Sequence, residues 1–188
     1  MGPDVKVERF AIPEVMLITP PRYADSRGFF SEVYTASKFA AAGLDRIFIQ
    51  DNQSRSAKGV VRGLHCQIGA NVQGKLVRVL NGSIWDVAVD IRVGSPTYGQ
   101  HVAAILSAEN GSQLWVPEGF LHGFCALEPD TDVLYKVNGA YDRAAERGVA
   151  WDDPGLALPW PLAPGEAIVS DKDRDLPHLA DCEPWYTI

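Results

Sequence analysis

Arg62, His65 and Lys75 bring one imidazole and two cations close together in sequence, in the stretches RGLHCQ and QGKLVRV. An imidazole can take or give a proton near neutral pH, and fixed cations can hold an anion or an enolate oxygen. Whether the three meet depends on the backbone between them. Val60, Val61 and Leu64 read as a strand, in which side chains two apart share a face. Arg62 and His65 are three apart, so a regular strand would point them to opposite faces. Gly63 lies between them, and the spacing therefore predicts a bulge or twist there, or a site fed from more than one direction.

Other residue types are weaker pointers. Asp86 and Asp90 share a strand face and resemble a carboxylate pair, but no partner is evident, so they read as a polar interior or exposed face. Cys66 and Cys125 are flanked by apolar residues and read as packing groups. His101 and His178 match no functional pattern. Lys75 and Arg78 carry the alternative reading of solvated strand charges, which is retained for Arg78.

The chain has 188 residues, 46% hydrophobic and 22% charged, a size and balance suited to one globular domain with a sizeable core. Residues 1–10 carry charges where a signal peptide would have its apolar segment, and no apolar run approaches the roughly 20 residues that cross a bilayer. These features imply a cytoplasmic protein without membrane contact. Three cysteines without paired CxxC spacing suit reduced thiols and give no zinc motif. A net charge of −7 argues against a nucleic-acid surface. Arg55, Lys58, Arg62, Lys75 and Arg78 still form a local basic cluster able to hold a small anion.

Short runs of Val, Ile and Leu separated by Gly, Pro, Asn and Asp read as an antiparallel all-β domain. The clearest pair is 75–80 with 83–91, expected to form a hairpin through a type I′ turn at Asn81-Gly82. Further strands are expected at 47–51, 101–106, 113–116, 123–127 and 133–137. A short helix fits 37–42, with Ser37 as its cap and Gly43 at its end. After about residue 155 prolines dominate and irregular structure should wrap the β core.

Pro117, Gly119 and His122 give PxGxxH within VPEGFLHGF, which resembles the second motif of the cupin superfamily. Metal-binding cupins carry HxH and a glutamate earlier in the chain; here the matching place reads His65-Cys66-Gln67, leaving only His101 and His122 to join His65 around a metal. Longer blocks are more specific. DSRGFFSE, IQDNQSRS, GVVRGLHCQ, QGKLVRV, DVAVDIR, SPTYGQ, VPEGFLHGF, LYK and SDKD, in this order across residues 10–175, resemble the dTDP-4-dehydrorhamnose 3,5-epimerase family.

That resemblance implies a cupin-like jelly-roll (double-stranded β-helix) with short peripheral helices, spanning residues 1–188 as one domain, and a homodimer needing no metal or other cofactor. It implies a dTDP-4-keto-6-deoxy sugar substrate, inverted at C3 and C5. His65 matches the family base, Tyr135 the proton donor, Lys75 the group on the enolate oxygen, and Asp173 the carboxylate that orients the base. Arg27, Glu32, Gln50, Asn52, Arg62, His122, Glu146 and Lys172 match substrate contacts, and Tyr141 the aromatic that stacks on thymine. Three alternatives stand beside this reading: an epimerase of one carbon only, a metal-dependent cupin enzyme, and a non-catalytic nucleotide-sugar binding module.

Overall fold

The computed structural model describes residues 5–188; residues 1–4, which begin the charged N-terminal stretch, lie outside them. In chain order the strands are β1 (Lys6–Arg9), β2 (Met16–Thr19), β3 (Tyr23–Asp25), β4 (Gly28–Phe30), β5 (Gln50–Ser56) and β6 (Val61–Gln67). They continue with β7 (Lys75–Asn81), β8 (Ser83–Asp90), β9 (Arg92–Val93), β10 (His101–Ser107), β11 (Gln113–Val116) and β12 (Phe120–Ala126). The last are β13 (Thr131–Val137), β14 (Glu146–Gly148) and β15 (Tyr186–Thr187), and two short helices are α1 (Ala36–Ala41) and α2 (Asp171–Arg174). Among the described residues no helix is long and apolar enough to cross a membrane.

Two sheets build the jelly-roll. One has six strands in the order β1-β2-β11-β7-β13-β5, the other five in the order β10-β8-β12-β6-β14. Side-chain alternation explains how they pack. Val77 and Val79 from the first sheet meet Ile84, Ala88, Leu106 and Phe124 from the second in one shared core. The opposite faces are covered too: Leu76 and Trp115 pack under Phe39 of α1, while Val87, Val89 and Ile91 pack under Leu156, Trp160 and Trp185 of the proline-rich wrap.

The expected hairpin of 75–80 with 83–91 does not form. β7 lies between β11 and β13, and β8 between β10 and β12, in different sheets. Gly82 takes a positive φ of +76° but Asn81 does not, whereas a type I′ turn needs both. The chain therefore turns a corner from one sheet to the other. Other expectations shift by a few residues: the strand expected at 47–51 begins at Gln50, and that at 123–127 begins at Phe120. Thr35 rather than Ser37 precedes α1, with no side-chain cap, while Gly43 ends it at φ +95° as expected.

The parity conflict on β6 is resolved by an irregular register. His65 lies opposite His122 and Arg62 opposite Phe124, so three steps on β6 match two on β12. The extra residue brings Arg62 and His65 to one side. Gly63 makes this possible: its φ is +129°, and a Cβ there would stand 2.7 Å from Gly123 Cα and 2.9 Å from the His122 carbonyl oxygen. Gly28 has almost the same φ, +130°, with nothing within 4 Å of an added Cβ. Gly63→Ala should therefore cost about 1–3 kcal/mol more than Gly28→Ala in urea unfolding, the usual cost of overpacking. Equal costs at the two positions would show that the close approach is unimportant.

Candidate active site

Between the sheets lies a cleft of about 300 Å³ with walls of different origin. Ser54 (β5), Lys75 (β7) and Tyr135 (β13) come from the six-stranded sheet, and Arg62, His65 (β6), His122 and Phe124 (β12) from the five-stranded one. Ser170, Lys172 and Asp173 close it from α2 and its cap. A second compartment of about 310 Å³ shares His65, Lys75 and Tyr135 and adds Gln50, Asn52, Cys66, Gln67, Gln73, Tyr141 and Glu146. A flat ring held in the cleft thus meets the imidazole of one sheet and the phenol of the other.

His65 is held by Asp173. Nε2 of the imidazole is 2.7 Å from Asp173 Oδ1, and Asp173 Oδ2 accepts from the Gly63 backbone N–H at 3.2 Å. Ser170 in turn caps α2 by accepting from the Asp173 N–H at 3.1 Å. Burial alone would raise the Asp173 carboxyl, but the bonds from His65 and Gly63, with Lys172 nearby, outweigh it and hold the group below the ordinary carboxylate range. With Asp173 ionised, Nε2–H is the donor and Nδ1 is left as the basic nitrogen.

Lys75 and Tyr135 lie diagonally on one face of the β7–β13 pair, where Lys75 is opposite Val137 and Tyr135 opposite Val77. Lys75 Nζ reaches toward the His65 carbonyl oxygen at 3.5 Å, and burial lowers the pKa of its ammonium. Burial raises the Tyr135 phenol, with Arg62 opposing, so the phenol keeps its proton as a donor requires. Burial likewise pushes the Cys66 thiol up to about 12, which fits packing and not nucleophilic attack.

His122 is fixed by a second carboxylate, with Nε2 2.7 Å from Asp86 Oδ1. Asp86 and Asp90, both fully buried, are therefore separate structural groups: Asp90 is bonded by Arg92, Ser95 and Thr97. The partners missing from the sequence reading exist. Among the described residues no three His, Cys, Asp or Glu side chains gather as a metal site, since His65 and His122 serve different carboxylates and His101 stands on the edge strand β10.

At the outer end, Glu146 accepts from Tyr141 at 3.0 Å and pairs with Lys172 at 2.7 Å. Gln67 Oε1 accepts from Asp142 N–H at 2.9 Å, and Gln73 donates to the Gly139 carbonyl at 2.7 Å, so both glutamines order the loop carrying Tyr141. Gln50 donates to Asn52 at 2.7 Å. Arg27 and Glu32 are not brought to the cleft: Arg27 pairs with Asp25 in the exposed β3–β4 hairpin, and Glu32 with Lys38. The five-residue basic cluster also divides. Arg62 and Lys75 face the cleft, Lys58 is exposed, Arg55 pairs with Asp132 at 2.6 Å, and Arg78 is partly buried on the opposite face of its sheet from Lys75.

Sequence reasoning missed Ser54, Phe124 and Ser170. The two-residue period that aligns Gln50 with Asn52 extends to Ser54, and SDKD places a Ser three residues before an acidic group, a helix-start pattern.

The family model for dTDP-4-dehydrorhamnose 3,5-epimerase matches residues 9–181. The chain is 49% identical to the dTDP-4-dehydrorhamnose 3,5-epimerase of Sinorhizobium fredii, over 95% of this chain and 91% of that one. It is 39% identical to a dTDP-4-dehydrorhamnose 3-epimerase of Streptomyces niveus, over 94% and 85% respectively. Its fold superposes on the dTDP-6-deoxy-D-glucose-3,5-epimerase of Legionella pneumophila, a crystal structure holding dTDP-4-keto-L-rhamnose, with a TM-score of 0.91, 44% identity and 95% of both chains covered. The cleft walls, the imidazole–carboxylate pair and the match across nearly the whole chain agree: this protein belongs to the dTDP-4-dehydrorhamnose 3,5-epimerase family.

Proposed function

We propose that the protein inverts C3 and C5 of dTDP-4-dehydro-6-deoxy-D-glucose, giving dTDP-4-dehydro-L-rhamnose. The observation that carries this reading is His65 on one sheet, held by Asp173 of α2, in the same cleft as the Tyr135 phenol of the other sheet, with Lys75 lining it too. The C4 ketone acidifies the hydrogens on C3 and C5. His65 Nδ1 takes the proton, the C–H electron pair moves into the ring, and the negative charge gathers on the C4 oxygen. The Lys75 ammonium stabilises that oxygen. Tyr135 gives a proton to the other face of the carbon; the His65 imidazolium then releases its proton to solvent and the Tyr135 phenolate takes one up, so both groups are reset before the second inversion.

The remaining residues bind. Arg62 and Lys172 supply donors for phosphate oxygens, Gln50, Asn52 and His122 hold polar groups of the substrate, and Tyr141 with Glu146 takes the thymine. Arg27 and Glu32 lie off the cleft, on or beside a hairpin that exposes Phe29 (60%) and Phe30 (66%). We propose that this hairpin reaches a second copy in a homodimer, bringing Arg27 and Glu32 to the partner's cleft. The chain works as one domain in the cytoplasm. Sedimentation should give about twice 20.5 kDa, falling to the single mass in a Phe29→Ser, Phe30→Ser variant. A monomeric wild-type protein would remove the dimer.

The resemblance to a 3-epimerase favours one second reading, inversion at a single carbon. Incubation with the substrate in D₂O separates the two by NMR. Deuterium should enter at C3 and C5; label at one carbon gives the narrower activity, and label at neither rejects the function. His65→Ala should abolish exchange, while Tyr135→Phe should exchange without inverting, and equal loss in both would contradict separate roles.

The Lys75 ammonium must be charged to hold the enolate. Because burial lowers its pKa, kcat should fall with rising pH at a point below that of an ordinary lysine. Lys75→Met should lower kcat by about 10²–10³-fold, the typical cost of one such donor. A variant keeping both the rate and the alkaline limb would exclude Lys75 from this role.

A further inference from the structure

The inward row of β5 is Gln50, Asn52, Ser54 and Ser56, spaced by the two-residue period of a strand. Three of these four polar groups are engaged. Gln50 donates to Asn52 at 2.7 Å, and Ser56 accepts from Arg62 Nε at 3.1 Å. The Ser54 hydroxyl lies between them, buried, and has no hydrogen-bond partner among the described residues. A buried hydroxyl without a partner loses its hydration and gains nothing in return, so its persistence points to a ligand.

Its surroundings define what that ligand offers. Ser54 lines the cleft beside Arg62, whose Nη2 is held by the Arg55 carbonyl at 3.1 Å, and the same cleft carries Lys172. Both cations only donate. The cross-strand neighbour of Ser54 is Val133, and Phe124 lines the same cleft; neither side chain supplies an acceptor. A hydroxyl grouped with two donor-only cations suits an acceptor-only anion better than a sugar hydroxyl, which brings a hydrogen of its own.

We propose that Ser54 donates its hydroxyl hydrogen to a phosphate oxygen of the bound nucleoside diphosphate, alongside Arg62. This rests on the nucleotide-sugar reading above. It adds a residue to which the family resemblance gave no role. It also reverses the usual sign for stability: removing an unpartnered buried hydroxyl relieves a cost in the empty protein, so binding and stability should move in opposite directions.

The test is titration calorimetry of the full chain with dTDP and with thymidine, together with thermal unfolding without ligand. Ser54→Ala should weaken dTDP by about 10-fold or more, the size expected for a hydrogen bond to a charged group, and leave thymidine binding unchanged. Its Tm should equal or exceed that of the wild type, and Ser54→Thr, which keeps a hydroxyl, should restore dTDP affinity. Unchanged dTDP affinity in Ser54→Ala would overturn the proposal, leaving the hydroxyl to a sugar oxygen or to water. A lowered Tm would overturn it as well, because the hydroxyl would then have a partner within the fold. If the wild-type protein itself fails to bind dTDP, the nucleotide-sugar reading fails, which is a different result from an indifferent Ser54→Ala.

Discussion

The Asp173 carboxylate is bonded twice to the same short stretch of β6, through Oδ1 to His65 Nε2 at 2.7 Å and through Oδ2 to the Gly63 N–H at 3.2 Å. These residues are more than a hundred positions apart, so one side chain ties α2 and the proline-rich wrap to the irregular point of the five-stranded sheet. Two requirements meet there. The extra residue at Gly63 turns Arg62 and His65 to the same side, and the carboxylate fixes the imidazole once it has been turned. Without the bulge the basic groups diverge; without Asp173 the imidazole loses the partner that fixes its orientation and tautomer.

The two-sheet architecture gives this pair its chemical meaning. Epimerisation removes a proton from one face of a carbon and returns one to the other, so base and donor must stand on opposite sides of a flat enolate. His65 belongs to the five-stranded sheet, whereas Tyr135 and Lys75 belong to the six-stranded one. Burial acts on each group in a direction that suits this division. It raises the Tyr135 phenol, so that group keeps its proton, and it lowers the pKa of the Lys75 ammonium. Asp173 stays ionised because its hydrogen bonds outweigh its own burial.

How much of this was legible in the sequence depended on the range of the interaction. Strand content followed from apolar alternation, and the conflict between Arg62 and His65 was visible as parity, because both are local properties. The ordered motif blocks named most of the cleft residues. Asn81-Gly82 misled for the same reason: it is a local turn signal, but strand pairing is decided by which neighbours fill each edge, and β7 and β8 are each flanked by other strands. Arg78 read as solvated although its position three residues from Lys75 already placed it on the other face of β7. The partners of Asp86 and Asp90, and the link from Asp173 to Gly63, are contacts of tertiary folding with no sequence signature of their own. Ser54 was within reach of the period-two rule, and its lack of a partner only became visible in three dimensions.

If Asp173 acts only through His65, the two residues form a single functional unit and their losses cannot add. A double-mutant cycle on kcat/KM with His65→Ala, Asp173→Asn and the combined variant measures this directly. The combined variant should be no slower than His65→Ala alone, with all three retaining the folded state by circular dichroism. Losses that multiply in the combined variant would show that Asp173 contributes independently of the imidazole, contradicting the dyad as the constraint that organises the site.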